Sequence, residues 1–312
     1  MWTDLSGGFL LAATAVYALA ALMFGVGLAL SSAAAPRRAS RTAVAPGGQL
    51  VRVGEARRDS DQSAGADSVL RARGEVIARI GVNLTVLAAV LHGADLLTRG
   101  LLVGRAPLSN LFEFTVAASF VATISYLVIG RRTGQLRELG LLALLPITSA
   151  MFLAVSTLYK APQQDLPPSL QSYWIGIHVT AAAIGVGSVT IGAVGCAAQL
   201  KAQRAGRPDL LPRAEKITSA AFAFAFPVWT FAVTTGAIWA NYAWGRYWGW
   251  DPKEIWAFVS WVMLAAYLHS RRTAGVKKRT LAVVGLIAYG TLLFNFIGVN
   301  LWFSGLHSYA GL

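Results

Sequence analysis

About eight stretches of roughly 20 mostly apolar residues divide this chain, and that is the length one helix needs to cross a hydrocarbon layer of about 30 Å. They lie near residues 8–30, 77–98, 112–130, 140–158, 173–200, 217–240, 254–269 and 281–303. The sequence therefore predicts an all-α, polytopic integral membrane protein with about eight transmembrane helices. Its makeup agrees: 55% of the residues are hydrophobic, only 13% are charged, and the mean hydropathy is +0.55. Such a balance lies outside the range of soluble domains.

A formal charge of +13 suggests nucleic acid, but the placement of the cations argues for membrane topology and against a nucleic-acid partner. With the amino terminus outside, the inner segments hold the basic residues between Arg37 and Arg79, between Arg131 and Arg137, between Lys201 and Lys216, and between Arg271 and Arg279. Arg99, Arg105, Lys160, Arg246 and Lys253 remain outside. This positive-inside pattern predicts that both termini lie on the outer face.

The small residues from Ser31 to Ala35 resemble a leader cleavage site, yet Met1 to Asp4 carry no cation and the following flank is strongly basic. That bias is the reverse of a secretory leader, so residues 1–30 are expected to stay as the first transmembrane helix. Residues 31–75 are rich in Arg, Ala, Gly, Ser and Asp and poor in large apolar side chains. They read as a disordered basic cytoplasmic loop, with contact to anionic membrane lipid as the alternative. Residues 76–312 read as one membrane domain with an external loop at 241–253. Cys196 is the single cysteine, which excludes an internal disulfide and a Cys-x-x-Cys redox pair. Pro107 and the Ser109-Asn110 pair predict a turn before the third span, and Pro146 falls inside the fourth, where neighbouring helices can tolerate it.

Two features carry chemistry. The run Trp244-Gly245-Arg246-Tyr247-Trp248-Gly249-Trp250-Asp251 offers broad indole faces, with glycines that permit close approach of a flat apolar ligand. The four histidines, His92, His178, His269 and His307, all fall in or beside apolar segments. Intramembrane imidazoles are functional candidates, and imidazole is the common axial ligand of haem iron. By the topology above, His178, His307 and the Trp-rich loop meet on the outer face, with Arg246 and Lys253 as nearby cations for the propionates. Asp251 reads as a helix cap before Pro252, orienting the loop or pairing with Arg246. Each element also has a structural reading: tryptophans anchor at interfaces, and membrane histidines bond to neighbouring helices. His92 and His269 form a second pair, although His92 shares a helix face with Asp95, itself four residues before Arg99, as a structural polar cluster would.

From Gly236 to Trp261 the sequence reads GAIWANYAWGRYWGWDPKEIWAFVSW, and near the end comes Gly305-Leu306-His307-Ser308-Tyr309. Both closely resemble the "WWD" segment and the carboxy-terminal histidine motif of CcsA/CcsB-type (ResC-like) cytochrome c biogenesis proteins. The Pro107-Leu-Ser-Asn-Leu-Phe-Glu113 turn is similar to theirs as well. The resemblance runs from about residue 76 to the end, and the related haem-handling proteins CcmC and CcmF lack the Trp-Asp-Pro-Lys-Glu continuation. It implies a cytochrome c synthetase subunit of the cell (plasma) membrane, working with a ResB/Ccs1-type membrane partner and, indirectly, a thiol-reducing pathway. Haem b would be received from the inner side, displayed on the extracytoplasmic face and joined by thioether bonds to the Cys-x-x-Cys-His motif of apocytochrome c. The resemblance makes His178 and His307 the external axial ligands and His269 the inner membrane-embedded haem histidine, with His92 a weaker match. Where relatives carry a histidine before the turn, this chain has Arg105.

The chain offers no nucleophile for such a reaction, so its contribution is positioning. A haem exporter without ligation activity is the alternative function, and a membrane scaffold with a tryptophan belt is a third.

Overall fold

The computed structural model describes residues 2–34, 53–159, 166–207 and 210–307. Among them every regular element is helical. The order is α1 (Trp2–Ala33), α2 (Val53–Val103), α3 (Leu111–Thr133), α4 (Leu136–Leu153), α5 (Tyr173–Arg204), α6 (Leu211–Trp244), α7 (Pro252–Arg272), α8 (Lys278–Leu293) and a short α9 (Val299–Trp302). A π-helical turn, Ala154–Leu158, extends α4, and another, Phe294–Gly298, joins α8 to α9.

Seven of these helices are long and apolar enough to cross a membrane on composition alone. α7 is not among them: Lys253 and Glu254 at its start and His269, Arg271 and Arg272 at its end dilute its apolar middle. Its course follows from its neighbours. Asp251, its cap, bonds to Leu306 and His307 beyond α9, while Lys278 at the start of α8 pairs with Glu215 at the start of α6. So α7 runs the full length of the bundle, and its 21 residues span about 31 Å.

The expected loop at 31–75 is shorter than its composition suggests. α1 continues to Ala33 and α2 begins at Val53, so the first part of α2 is a helical extension of the second span. Alanine, glutamate and arginine, too small or polar to build a core, are nevertheless good helix formers once a neighbouring span has nucleated the helix. Residues 35–52 lie outside the described set.

Two packed clusters make the core. The first lies among α1 to α4, around Tyr17, Phe24, Phe112, Tyr126, Leu144 and Met151. The second lies among α5 to α8, around Phe222, Trp229, Leu264, Tyr267 and Leu292. α3 and α5 join them, and at their crossing Gly187 approaches so closely that a Cβ there would stand 2.8 Å from the Ala118 carbonyl oxygen. Small residues permit such contact where lipid supplies no hydrophobic drive for helix association.

Between α2 and α3 the polar groups are paired. Glu113 accepts from Arg99 at 3.0 Å, from Arg105 at 3.2 Å and from the Ser109 amide at 2.8 Å. Asn110 caps α3 by accepting from the Glu113 amide at 2.9 Å. The proline-containing turn is thereby fixed against the bundle, with Arg105 serving as an ion-pair partner.

Candidate functional site

A cleft opens at the end of the bundle where α5 begins and α6 ends, enclosing about 1160 Å³ when its open mouth is included. Pockets for flat, drug-sized ligands fall in this general range. Its walls are the Leu108–Leu111 turn, the first turns of α5, the last turns of α6, the head of α7 and the end of α8. His178 and His307 both line it, together with Trp239, Trp248 and Lys253.

Each of the two imidazoles is held at Nδ1. His178 donates from Nδ1 to the Ala232 carbonyl oxygen at 2.8 Å. That close approach depends on Gly236, where a Cβ would lie 2.7 Å from the His178 ring. His307 donates from Nδ1 to the Asp251 carboxylate at 2.8 Å. With the proton on Nδ1, the lone pair of a neutral ring sits on Nε2, the arrangement that second-shell carbonyls and carboxylates impose on metal-ligating histidines.

Trp239 links the two rings. Its indole is 1% exposed, donates to the Ser169 carbonyl oxygen at 2.8 Å, and stacks parallel to His178 with centroids 6.1 Å apart. The same indole lies 5.7 Å from His307, so the imidazoles are no more than about 12 Å from each other. Sequence reading did not single out Trp239. The signal was present, because Ala232, Gly236 and Trp239 follow helical spacing onto the face that meets His178.

The Trp-rich loop divides its tasks. Trp244 packs edge-on against both Trp239 and His307, at 4.7 and 5.0 Å. Trp248 lines the cleft. Trp250 turns outward, 66% exposed, with a left-handed φ of 59° that is rare for a bulky side chain. It therefore belongs to the outer rim and not to the platform expected from sequence. Arg246 is not among the lining residues: it pairs with Glu254 at 3.4 Å and lies over the Trp244 ring.

The expected Asp251–Arg246 pair is therefore replaced by Asp251–His307, because Glu254 takes the arginine. The cap itself is as expected: Asp251 and Glu254 form a reciprocal capping box with Pro252 in the first turn. Burial alone would raise the Asp251 carboxyl, but the hydrogen bond and charge of His307 and the amides of Leu306 and Lys253 outweigh it and lower it to about 2.

His92 and His269 are not brought into one site. His92 is fully buried, with Nε2 against the Val116 carbonyl oxygen at 3.0 Å and Nδ1 against the Tyr17 hydroxyl at 3.3 Å. Both nitrogens are thus engaged among α1, α2 and α3. The neighbouring Asp95 accepts from Ser6 at 2.8 Å, while Arg99 turns to Glu113. His269 lies exposed on α7 at the opposite end of the bundle, and α7 packs against α6 and α8.

The donor set suits a flat metallomacrocycle. It combines two orientable imidazoles, apolar walls with indoles, a cation, and a buried Asn295 amide whose carbonyl oxygen lacks a partner among the described residues.

Residues 108–307 match the cytochrome C assembly protein family, and every residue lining the cleft lies within those limits. The cytochrome c biogenesis protein CcsA of Chlamydomonas reinhardtii is 34% identical over 251 residues, covering 77% of this chain and 70% of the relative. CcsA of Guillardia theta is 29% identical, covering 75% and 86%, and that of Synechococcus elongatus is 28% identical, covering 74% and 87%. His92 falls outside the family match.

Proposed function

The chain belongs to the cytochrome C assembly protein family, as a CcsA-type multi-pass membrane subunit of cytochrome c biogenesis, and on that premise we propose that its cleft receives haem and presents it for covalent attachment to apocytochrome c. The observation that carries this reading is the pairing of His178 and His307 at one indole-lined cleft, each ring held at Nδ1.

Haem b is the substrate, and its vinyl groups supply the reacting carbons. At each, a cysteine S–H of the Cys-x-x-Cys-His motif adds across the C=C bond: carbon gains sulfur, the neighbouring carbon gains the proton, and no external oxidant is consumed. This chain's residues bind and orient. His178 and His307 ligate the metal, while Trp239, Trp244 and Trp248 line and brace the apolar walls. The exposed Tyr247 and Trp250 on the rim suit docking of the apocytochrome. The cleft faces the extracytoplasmic side of the plasma membrane, in keeping with the positive-inside pattern. His269, outward on α7, takes haem arriving from the inner side, with a ResB/Ccs1-type partner supplying what this chain lacks there.

The test is reconstitution with that partner, apocytochrome and haem. Wild type is expected to yield haem that stays with cytochrome after denaturation. His307→Ala and His178→Ala are expected to lose most of this yield and to change the absorption spectrum, with partial recovery on adding imidazole. Normal maturation by His307→Ala without imidazole would refute its role. External but unattached haem would support an exporter instead.

A further inference from the structure

The end of the bundle opposite the His178–His307 cleft holds a second cavity, about 1250 Å³ with its open mouth included, between the start of α6, the end of α7 and the start of α8. It is polar and basic where the first is apolar. Lys216, Arg271 and Lys278 line it together with one carboxylate, Glu215. Lys278 takes that carboxylate at 2.8 Å, whereas Lys216 and Arg271 form no ion pair among the described residues. Ser219 and Ser270 bring hydroxyls to the walls, and the buried Tyr267 closes the cavity toward the core.

α6 and α8 both begin at this cavity, and neither start carries a side-chain cap. Their first backbone N–H groups and positive dipole ends add to the field of the cations. An anion is the natural occupant. Depth decides which kind. α6 has 34 residues and is about 51 Å long, so a hydrocarbon core of about 30 Å leaves about 10 Å of it beyond the core at each end. Its lining residues run from Pro212 to Ala220, about the first 14 Å of the helix, which places the cavity at headgroup level. Apolar surface takes over where the cavity ends: Ala220 is exposed, and Phe224, one turn on along the same face, is 54% exposed. The ligand that suits both parts has an anionic head and an apolar chain.

We propose that this cavity binds an anionic phospholipid of the inner leaflet. Its phosphodiester lies between Lys216 and Arg271, the serine hydroxyls donate to its free oxygens, and an acyl chain follows Ala220 and Phe224. A zwitterionic headgroup brings its own cation into the cluster and is disfavoured. The choice of leaflet rests on the orientation proposed above, but the binding does not depend on the haem reading of the cleft.

The experiment mixes the full-length protein in detergent with equal amounts of dioleoylphosphatidylglycerol and dioleoylphosphatidylcholine and measures retained lipid by native mass spectrometry. Wild type is expected to retain the anionic lipid about tenfold in preference. Lys216→Gln with Arg271→Gln should remove most of that preference. Arg272→Gln with Arg279→Gln takes the same charge from the same end but outside the cavity, and should keep it. Both double variants are expected to melt as wild type does in the zwitterionic lipid alone. Equal retention of the two lipids by wild type would overturn the site, and so would an equal loss of preference in the two double variants, which would leave only the general charge of this end. Displacement of the lipid by inorganic phosphate at matched concentration would make the cavity a free-phosphate site and overturn the lipid reading.

Discussion

At the scale of single residues, Asp251 carries the most consequence for its size. One oxygen accepts from His307 Nδ1 at 2.8 Å and from the Lys253 amide at 3.0 Å; the other accepts from the Leu306 amide at 2.8 Å. Its carboxyl is lowered to about 2 from an ordinary value of 3.8, because the bonds and charge around it outweigh its burial. A depressed carboxyl stabilises the folded state above its unfolded value, so this contribution is complete above about pH 4 and is lost as pH falls through about 2. Asp251→Asn keeps a good helix cap and removes the charge. It is expected to flatten the loss of thermal stability between about pH 4 and 2, and to weaken haem binding by about 10–100-fold, as loss of a metal ligand's second-shell partner does. Unchanged haem affinity would show that the carboxylate does not set the His307 ring. The cap was legible from Asp251-Pro252-Lys253-Glu254 because all its parts are local. Its bond to His307 was not, because the two residues meet only after α7 and α8 have gone down and back through the bundle.

At the scale of elements, most helices were legible because an apolar run of about 20 residues has few other solutions in a bilayer. α7 reads less clearly, since its charged ends and its tryptophans dilute the hydropathy that marks its neighbours. The π turns were invisible: Phe294-Asn-Phe-Ile-Gly298 fits an α-helix equally well by composition, and the extra residue is stabilised by tertiary packing against α7. That turn makes a sharp prediction. Deleting Ile297, a partly exposed residue of the turn, removes the extra residue, so α8 should run on as α-helix with everything after it on the faces it already holds. Helical circular dichroism, membrane levels and the Soret band on haem addition are all expected to stay near wild type. Inserting an alanine after Ile297 should instead rotate the following residues by about 100° and lower the Soret band severalfold. Retained haem binding in the insertion would show that the register of α8 does not matter to the cleft.

For the molecule as a whole, the basic ends of α6, α7 and α8 lie opposite the end that holds the cleft. Impermeant thiol labelling of intact cells tests which way the bundle points. Tyr247→Cys, on the exposed rim, should label from outside. Thr273→Cys, at the basic end, should label only after permeabilisation, and the buried Cys196 should stay silent in both. The opposite pattern would invert the orientation. The two cleft imidazoles also hang from unequal supports. His178 rides on α5, the most enclosed of the apolar helices, and is tied to the main chain of α6. His307 hangs from the tail beyond α9 and is tied to a side chain. A newcomer can push the tail aside without unwinding a helix, whereas reaching past the other ring means prying the bundle apart. On the proposed reading, an incoming apocytochrome is therefore expected to displace His307 and to leave by the same side.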